Sequence, residues 1–273
     1  MSFFNGTIFS DALKMDTGLG VILPQDSRCH RGYSELKPGV KAQKKPKTLI
    51  LLHGLSDDHS VWTSRTSLLR YAEEYDIAVI MPEVQRGFYL DMVHGLDYST
   101  YICQELPKLA GELFSISVEP EDLMIAGLSM GGYGAMYSAL SHPGKFYGVG
   151  CFSSAFDIRL ICGDGFAEAN GLAGWDKDRK SIFGESVSIP DKCDLYTLAE
   201  KAAQKDKKPR VFMTCGTEDF LYESNVKMRD LIKKTKAFDF KYEEWPGIHE
   251  WGFWDISIQK MLEHFLGAIV QKP

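Results

Sequence analysis

The chain has 273 residues, 44% hydrophobic and 25% charged, with 31 Lys and Arg against 37 Asp and Glu for a net charge of −6. That length is near the limit of one hydrophobic core, about 250–300 residues, and the composition excludes a disordered, collagenous or coiled-coil chain. The acidic balance, with no basic stripe, argues against nucleic acid as a partner, and no apolar run nears the roughly 20 residues of a membrane helix.

The stretch up to Pro24 alternates apolar and polar residues (Phe4, Gly6, Ile8, then Val21, Leu23) and predicts one or two antiparallel edge strands. Residues 25–47 turn polar, with Lys37, Lys41, Lys44, Lys45 and Lys47 around two prolines, the pattern of a solvated loop. Short aliphatic runs follow at Thr48–Leu52, Ile77–Met81, Leu123–Ala126, Gly148–Phe152 and Val211–Thr214, and a further strand is read at Phe238–Glu244. Runs of four to six Ile, Val and Leu suit strands buried on both faces. Between them lie helical patterns: Tyr98 to Leu113, with a kink expected at Pro107, then Tyr133–Leu140, Val226–Ile232 and Phe253–Ile269. Strands alternating with helices predict an α/β domain over 1–273 with a mostly parallel, doubly wound sheet. Residues 155–205 are Gly-rich and without clear periodicity, which predicts a lid or insertion. The alternative is a surface excursion that Phe156, Phe166, Trp175 and Phe183 merely anchor.

Cys29, Cys103, Cys151, Cys162, Cys193 and Cys215 form no C-x-x-C pair, and Met1–Gly6 lacks the charged start of a secretory signal. A cytoplasmic protein with reduced thiols, bound neither to membrane nor to nucleic acid, is the expectation.

Gly127-Leu128-Ser129-Met130-Gly131 is a G-x-S-x-G motif. Alone it is weak, since roughly one chain in six of this size and composition holds it by chance. Its setting adds weight, because it follows a strand and opens a helix, as a nucleophile elbow must. The sharp turn strains the serine backbone, and glycines on either side have no Cβ to collide. A serine near neutral pH needs a base, and the base needs an orienting acid. In doubly wound hydrolases the chain order is Ser, acid, His. His30, His53, His59 and His94 precede Ser129, His142 closes its helix, and His264 lies in an amphipathic helix. His249, in the turn Pro246–Glu250, is the candidate base. The strand at 211–214 runs into Glu218 and Asp219, so Asp219 is the candidate acid, with Glu218 the alternative. His53-Gly54-Leu55 follows the strand at 48–52, where a loop commonly supplies one oxyanion-hole donor. The backbone N–H groups of Leu55 and Met130 are the candidates. The run Asp57-Asp58-His59 finds no partners at metal-ligand spacing, and neither metal nor cofactor is expected.

The strings Leu52-His53-Gly54-Leu55-Ser56-Asp57-Asp58 with Trp62, Gly87-Phe88-Tyr89 with Gly95-Leu96-Asp97-Tyr98, and Ala126 through Ala135 resemble the tributyrin-esterase group of the esterase D-like α/β-hydrolases. That group also holds S-formylglutathione hydrolases, acetyl and feruloyl esterases and mycolyltransferases. The resemblance runs from about residue 3 to 268 and is poor over 155–205, where substrate preference would lie. It implies the α/β-hydrolase fold, carboxylic-ester hydrolysis without a cofactor, a Ser129–Asp219–His249 triad and an oxyanion hole at Leu55 and Met130.

The resulting expectation is a serine carboxylesterase for short acyl esters, its substrate a small-molecule ester or an acylated carbohydrate. An S-formylglutathione hydrolase, an acyltransferase and a non-catalytic binding module on the same scaffold are the alternatives. Trp62, Phe88, Tyr89, Trp251 and Trp254 are expected at the mouth of the site, although burial in the core would account equally well for about half of them. A homo-oligomer is compatible with the sequence, which does not specify one.

Overall fold

Consecutive aliphatic residues become strands buried on both faces because helices cover the sheet from either side. The structure, a computed structural model, describes residues 1–24 and 45–268. Its eight strands are β1 (Ser2–Ser10), β2 (Met15–Leu23), β3 (Lys47–Leu52), β4 (Ile77–Pro82), β5 (Leu123–Leu128), β6 (Gly148–Phe152), β7 (Arg210–Gly216) and β8 (Phe240–Trp245). They lie in one sheet in the order β1-β2-β4-β3-β5-β6-β7-β8. β1 and β2 form an antiparallel hairpin joined antiparallel to β4, and the other six strands are parallel.

Along β3, Leu49 and Leu51 enter one core and Ile50 and Leu52 the other, and the residues of β4 alternate in the same way. One face is covered by α1 (Val61–Arg65), α2 (Leu68–Glu74) and, at the C-terminal end, a long helix at Trp251–Leu266 that contributes Trp254, Ile258 and Met261. Tyr101 and Leu106 of the helical stretch from Tyr98 to Phe114, together with Tyr133 and Met136, cover the opposite face. Continuous hydrophobicity in the strands therefore reflects two buried faces, where a half-exposed sheet would alternate.

Pro107 is accommodated by a change of helix type rather than a simple kink. A turn at Tyr98–Thr100 passes into a π-helical turn at Tyr101–Glu105, and α3 (Leu106–Phe114) then starts with the proline in its first turn, where no N–H is needed. The following helices are α4 (Met130–Ser141), α5 (Ile158–Ile161), α6 (Phe166–Ala169), α7 (Trp175–Phe183), α8 (Leu195–Ala203), α9 (Tyr222–Thr235) and α10 (Trp251–Leu266).

Four of these, α5 to α8, lie in residues 155–205, so the expected irregular segment is largely helical. Gly165, Gly171 and Gly174, each with positive φ, interrupt it too often for a periodic pattern to show. Phe156, Trp175 and Phe183 of this segment are buried. The short α1 and α2 carry too few turns to be legible. Lys47 opens β3 and pairs with Asp122 at 3.1 Å, so the basic run ends in the sheet; Lys37, Lys41 and Lys44 lie outside the described residues, as do Cys29 and Ile269.

Candidate active site

β3, β5, β7 and β8 all end at the same edge of the sheet, and the loops that leave them carry the candidate residues. Ser129 follows β5 with φ 53° and ψ −118°, a conformation that only a closely held non-glycine residue keeps. Its N–H donates to Phe152 O (2.9 Å) and its carbonyl accepts from Ala155 N–H (3.1 Å). A Cβ on Gly127 would stand 2.5 Å from the backbone of Gly131, and one on Gly131 would stand 2.6 Å from Leu52 O. These contacts bring the start of α4 against the end of β3, which only glycines permit.

Asp219 lies in the turn after β7, its carboxylate fully buried and accepting from Leu221 N–H (2.9 Å) and from the His249 ring at Nδ1 (2.8 Å). A carboxylate only accepts, so Nδ1 carries the proton and Nε2 keeps its lone pair. Glu218 does not meet the ring. It accepts from Gly247 N–H (2.5 Å) and Thr217 Oγ1 (2.8 Å), while its own N–H donates to Gly247 O (3.1 Å). The Gly247 N–H, followed by the Thr217 hydroxyl, holds the Glu218 carboxyl below the usual range. Glu218 thus pins the turn that carries His249. Phe220 and Trp254 flank the imidazole with ring centres 4.7 and 4.8 Å away, Trp254 edge-to-face.

The loop after β3 is held from several sides. Tyr89 Oη donates to His53 O (2.8 Å), Val84 N–H donates to His53 Nε2 (3.2 Å), and His53 Nδ1 lies 2.7 Å from Gly54 O. A carbonyl only accepts, so Nδ1 is the donor. In a planar trans peptide the C=O and the next N–H point in opposite directions, so fixing Gly54 O aims the Leu55 N–H away from His53. Gly54 N–H donates to Asp57 Oδ2 (3.2 Å). Burial pushes the Asp57 carboxyl up from its ordinary value, against the pull of His53. Among the described residues nothing accepts from the N–H of Leu55 or Met130.

Ser129, Leu55, Met130 and His249 all line one cavity of about 530 Å³. Among the described residues the Ser129 hydroxyl makes no hydrogen bond, as is frequent in free enzymes, whose contacts tighten around substrate. The rest of the lining is mostly apolar: Phe88, Leu128, Ile161, Phe166, Leu172, Phe220, Trp251 and Trp254. Asp57 and Glu250 are its carboxylates, and no Lys or Arg among the described residues lines it.

Of the aromatics expected at the mouth, Phe88, Trp251 and Trp254 are there and two are not. Trp62 is fully buried, its Nε1–H donating to Leu52 O (3.0 Å) and its ring edge-to-face with Trp251 at 5.3 Å. It supports the wall from behind. Tyr89 is also fully buried and braces the His53 carbonyl. Sequence reasoning missed the contributions of Ile161, Asn170 and Leu172, all from the segment after β6. It also missed Asn225, whose amide bonds both the N–H (3.1 Å) and the C=O (2.8 Å) of Ser154 beside the elbow. A buried Asn in a helix pattern was the only available signal.

Asp58, His59 and Glu83 bring potential metal-binding atoms within 4.8 Å of one another, a grouping completed by the residue just after β4 that the sequence did not suggest. The His59 nitrogens are already engaged, Nδ1 by Glu83 (3.2 Å) and Nε2 by Asn5 (2.8 Å).

A mostly parallel sheet with helices on both faces, a strained serine between strand and helix, and an imidazole backed by a buried carboxylate define an α/β-hydrolase-fold carboxylic-ester hydrolase. The chain belongs to the "Putative esterase" family, whose model matches residues 10–265. It is 33% identical to an acetyl esterase of Caldicellulosiruptor saccharolyticus, over 96% of this chain and 97% of that protein. Among solved structures it is similar to FphF, a fluorophosphonate-binding serine hydrolase of Staphylococcus aureus, with a TM-score of 0.83 and 31% identity over 98% of this chain and 99% of that one. It is likewise similar to the S-formylglutathione hydrolase FrmB of Staphylococcus aureus, with a TM-score of 0.82 and 31% identity over 97% of this chain and 98% of that one.

Proposed function

We propose that the protein is a serine carboxylesterase for short-chain acyl esters, with Ser129 as nucleophile, His249 as general base and Asp219 as the acid that orients it. The observation that carries this is the 2.8 Å bond from the His249 ring to a fully buried Asp219, on the cavity that Ser129 lines. His249 Nε2 takes the hydroxyl proton as Ser129 Oγ attacks the ester carbonyl. The N–H groups of Leu55 and Met130 receive the developing oxyanion. The alcohol leaves with the proton held on Nε2, and water then hydrolyses the acyl-enzyme by the same steps in reverse. A cavity of about 530 Å³ walled by Phe88, Trp251 and Phe166 suits an acetyl or butyryl group, carried on a carbohydrate or a small alcohol, or a hydroxycinnamoyl ester.

The likeness to FrmB favours S-formylglutathione as a second reading. The cavity charge opposes it, because Asp57 and Glu250 face a substrate that itself carries carboxylates, with no described Lys or Arg to receive them. Ser129→Ala is expected to abolish p-nitrophenyl acetate turnover and labelling by a fluorophosphonate while leaving the fold intact. Retained turnover would remove Ser129 from the mechanism. Comparing kcat/KM for phenyl acetate, acetylated xylan, methyl ferulate and S-formylglutathione ranks the substrates; a thioester preference above tenfold would overturn the ester assignment.

A further inference from the structure

The sheet has two edges of opposite character. β8, Phe240-Lys241-Tyr242-Glu243-Glu244-Trp245, carries three charges, with Glu243 held by Lys241 and Lys260 at 2.7 Å each. Charge on an edge strand is a common protection against pairing with another chain. β1, Ser2-Phe3-Phe4-Asn5-Gly6-Thr7-Ile8-Phe9-Ser10, has no charge, no proline and no bulge along its nine-residue pairing with β2. Phe3, Phe4 and Phe9 are 40%, 54% and 57% exposed, and no described residue pairs with the outer edge.

The order of residues in β1 reads alike in both directions about Gly6. Laid antiparallel against its own copy on an axis through Gly6, the strand sets Ser2 opposite Ser10, Phe3 opposite Phe9, Phe4 opposite Ile8 and Asn5 opposite Thr7. A slip of one residue keeps only one kind of apolar pair, Phe3 with Ile8 or Phe4 with Phe9, and sets the remaining Phe against Ser or Thr and Asn against Gly or Ile. An isologous two-fold contact requires this kind of self-complementarity. Side chains alternate along a strand, so the Phe3–Phe9 pairs fall on one face and the Phe4–Ile8 pairs on the other.

The hairpin is also held in shape in advance. Glu105 accepts from Ser10 Oγ (2.5 Å) and from the N–H groups of Asp11 (2.6 Å) and Ala12 (3.2 Å) at the turn, and Asn5 Oδ1 meets His59 (2.8 Å). Ordering a docking strand therefore costs little on association.

We infer that β1 pairs antiparallel with β1 of a second copy of this chain, on a two-fold axis at Gly6, joining two eight-stranded sheets into one of sixteen. An antiparallel pair of this length exchanges about eight main-chain hydrogen bonds and buries the six phenylalanines of the two copies.

Light scattering on a sizing column and sedimentation, from 5 to 100 μM, test this. The wild type is expected to be a dimer. Phe3→Lys with Phe9→Lys sets like charges opposite each other at both ends and is expected to yield monomer. Phe3→Lys with Phe9→Glu sets opposite charges across the axis and is expected to restore the dimer. Within one chain positions 3 and 9 are about 20 Å apart, so the two double variants differ little in monomer stability. Turnover of p-nitrophenyl acetate reports the fold of each. A Cβ on Gly6 meets nothing within 4 Å, so Gly6→Cys fits the strand, and in a Cys29→Ser background it is expected to cross-link to itself on mild oxidation where Ser2→Cys does not. A monomeric wild type at 100 μM, a dimer indifferent to both double variants, or no Gly6→Cys cross-link would each overturn the inference.

Discussion

Replacing Asp219 by Asn separates the two carboxylates of the turn after β7. Asp219 is fully buried, accepts from Leu221 N–H and His249 Nδ1–H, and so fixes both the tilt and the tautomer of the ring. An amide of the same shape can present N–H to Nδ1, which stabilises the tautomer with the proton on Nε2, where it can no longer act as base. Such a change in a triad costs about 10³–10⁴ in kcat, equivalent to about 4–5.5 kcal/mol of transition-state stabilisation. Glu218→Gln removes only the charge from an exposed side chain that pins Gly247, and its amide oxygen can still accept, so its kcat is expected to stay within about tenfold of the wild type. Initial rates on p-nitrophenyl acetate at pH 8, with circular dichroism and melting temperature as fold controls, give the ratio. Asp219→Asn within tenfold of the wild type, or Glu218→Gln the more severe of the two, would refute this account of the His249 partner.

Other consequences are as concrete. Gly131→Ala forces a Cβ to within 2.6 Å of Leu52 O and 2.7 Å of His53 O, and backbone cannot yield as a side chain can; a loss of about 1–3 kcal/mol in urea unfolding and a fall in kcat of at least tenfold are expected. Gly252→Ala, whose Cβ meets nothing within 4 Å in α10, should be neutral or stabilising, and equal effects at the two sites would contradict the packing at the elbow. Burial would raise the Glu83 carboxyl, but the His53 ring, its Nε2 3.3 Å away, and the N–H of Gln85 outweigh burial and hold it at about 2. A carboxyl depressed in the folded state adds stability above its unfolded value near 4.5, lost as pH falls from there through about 2. The stability gap between wild type and Glu83→Gln should shrink from about 3 kcal/mol at pH 7 to about 1.5 at pH 3, and a constant gap would count against the His53–Glu83 contact. Burial pushes the thiols of Cys103 and Cys193 up to about 11 and that of Cys162 to about 12, with Cys151 and Cys215 shifted the same way. Native protein at pH 8 should show at most one of its six thiols to Ellman's reagent, that of Cys29, and all six after unfolding. Two or more fast thiols in the native protein would be inconsistent with this burial.

The linear sequence determined the alternation of strands and helices, because burial on both faces leaves unbroken aliphatic runs such as Leu49–Leu52 and Ile77–Met81 that need no partner to be recognised. It also marked the elbow at Ser129, since a strand-to-helix turn this tight imposes glycine at 127 through local contact with the Gly131 backbone, while glycine at 131 answers to the backbone of Leu52 and His53. Which neighbour of a pair does what was decided only in three dimensions. Asp219 and Glu218 are adjacent and chemically alike, yet the turn after β7 sends one inward to His249 and the other outward to Gly247. Trp62 and Trp251 look equivalent on paper, and the packing of α1 under the cavity wall buries the first and leaves the second facing the cavity. The helices of 155–205 were hidden because each spans only one to three turns and left-handed glycines bound α6 and α7, and Ile161, Phe166 and Leu172 become cavity wall only where that segment folds back over the sheet. Local propensity and burial pattern are written residue by residue, whereas the direction a side chain faces depends on contacts between segments a hundred residues apart, which no short stretch of sequence contains.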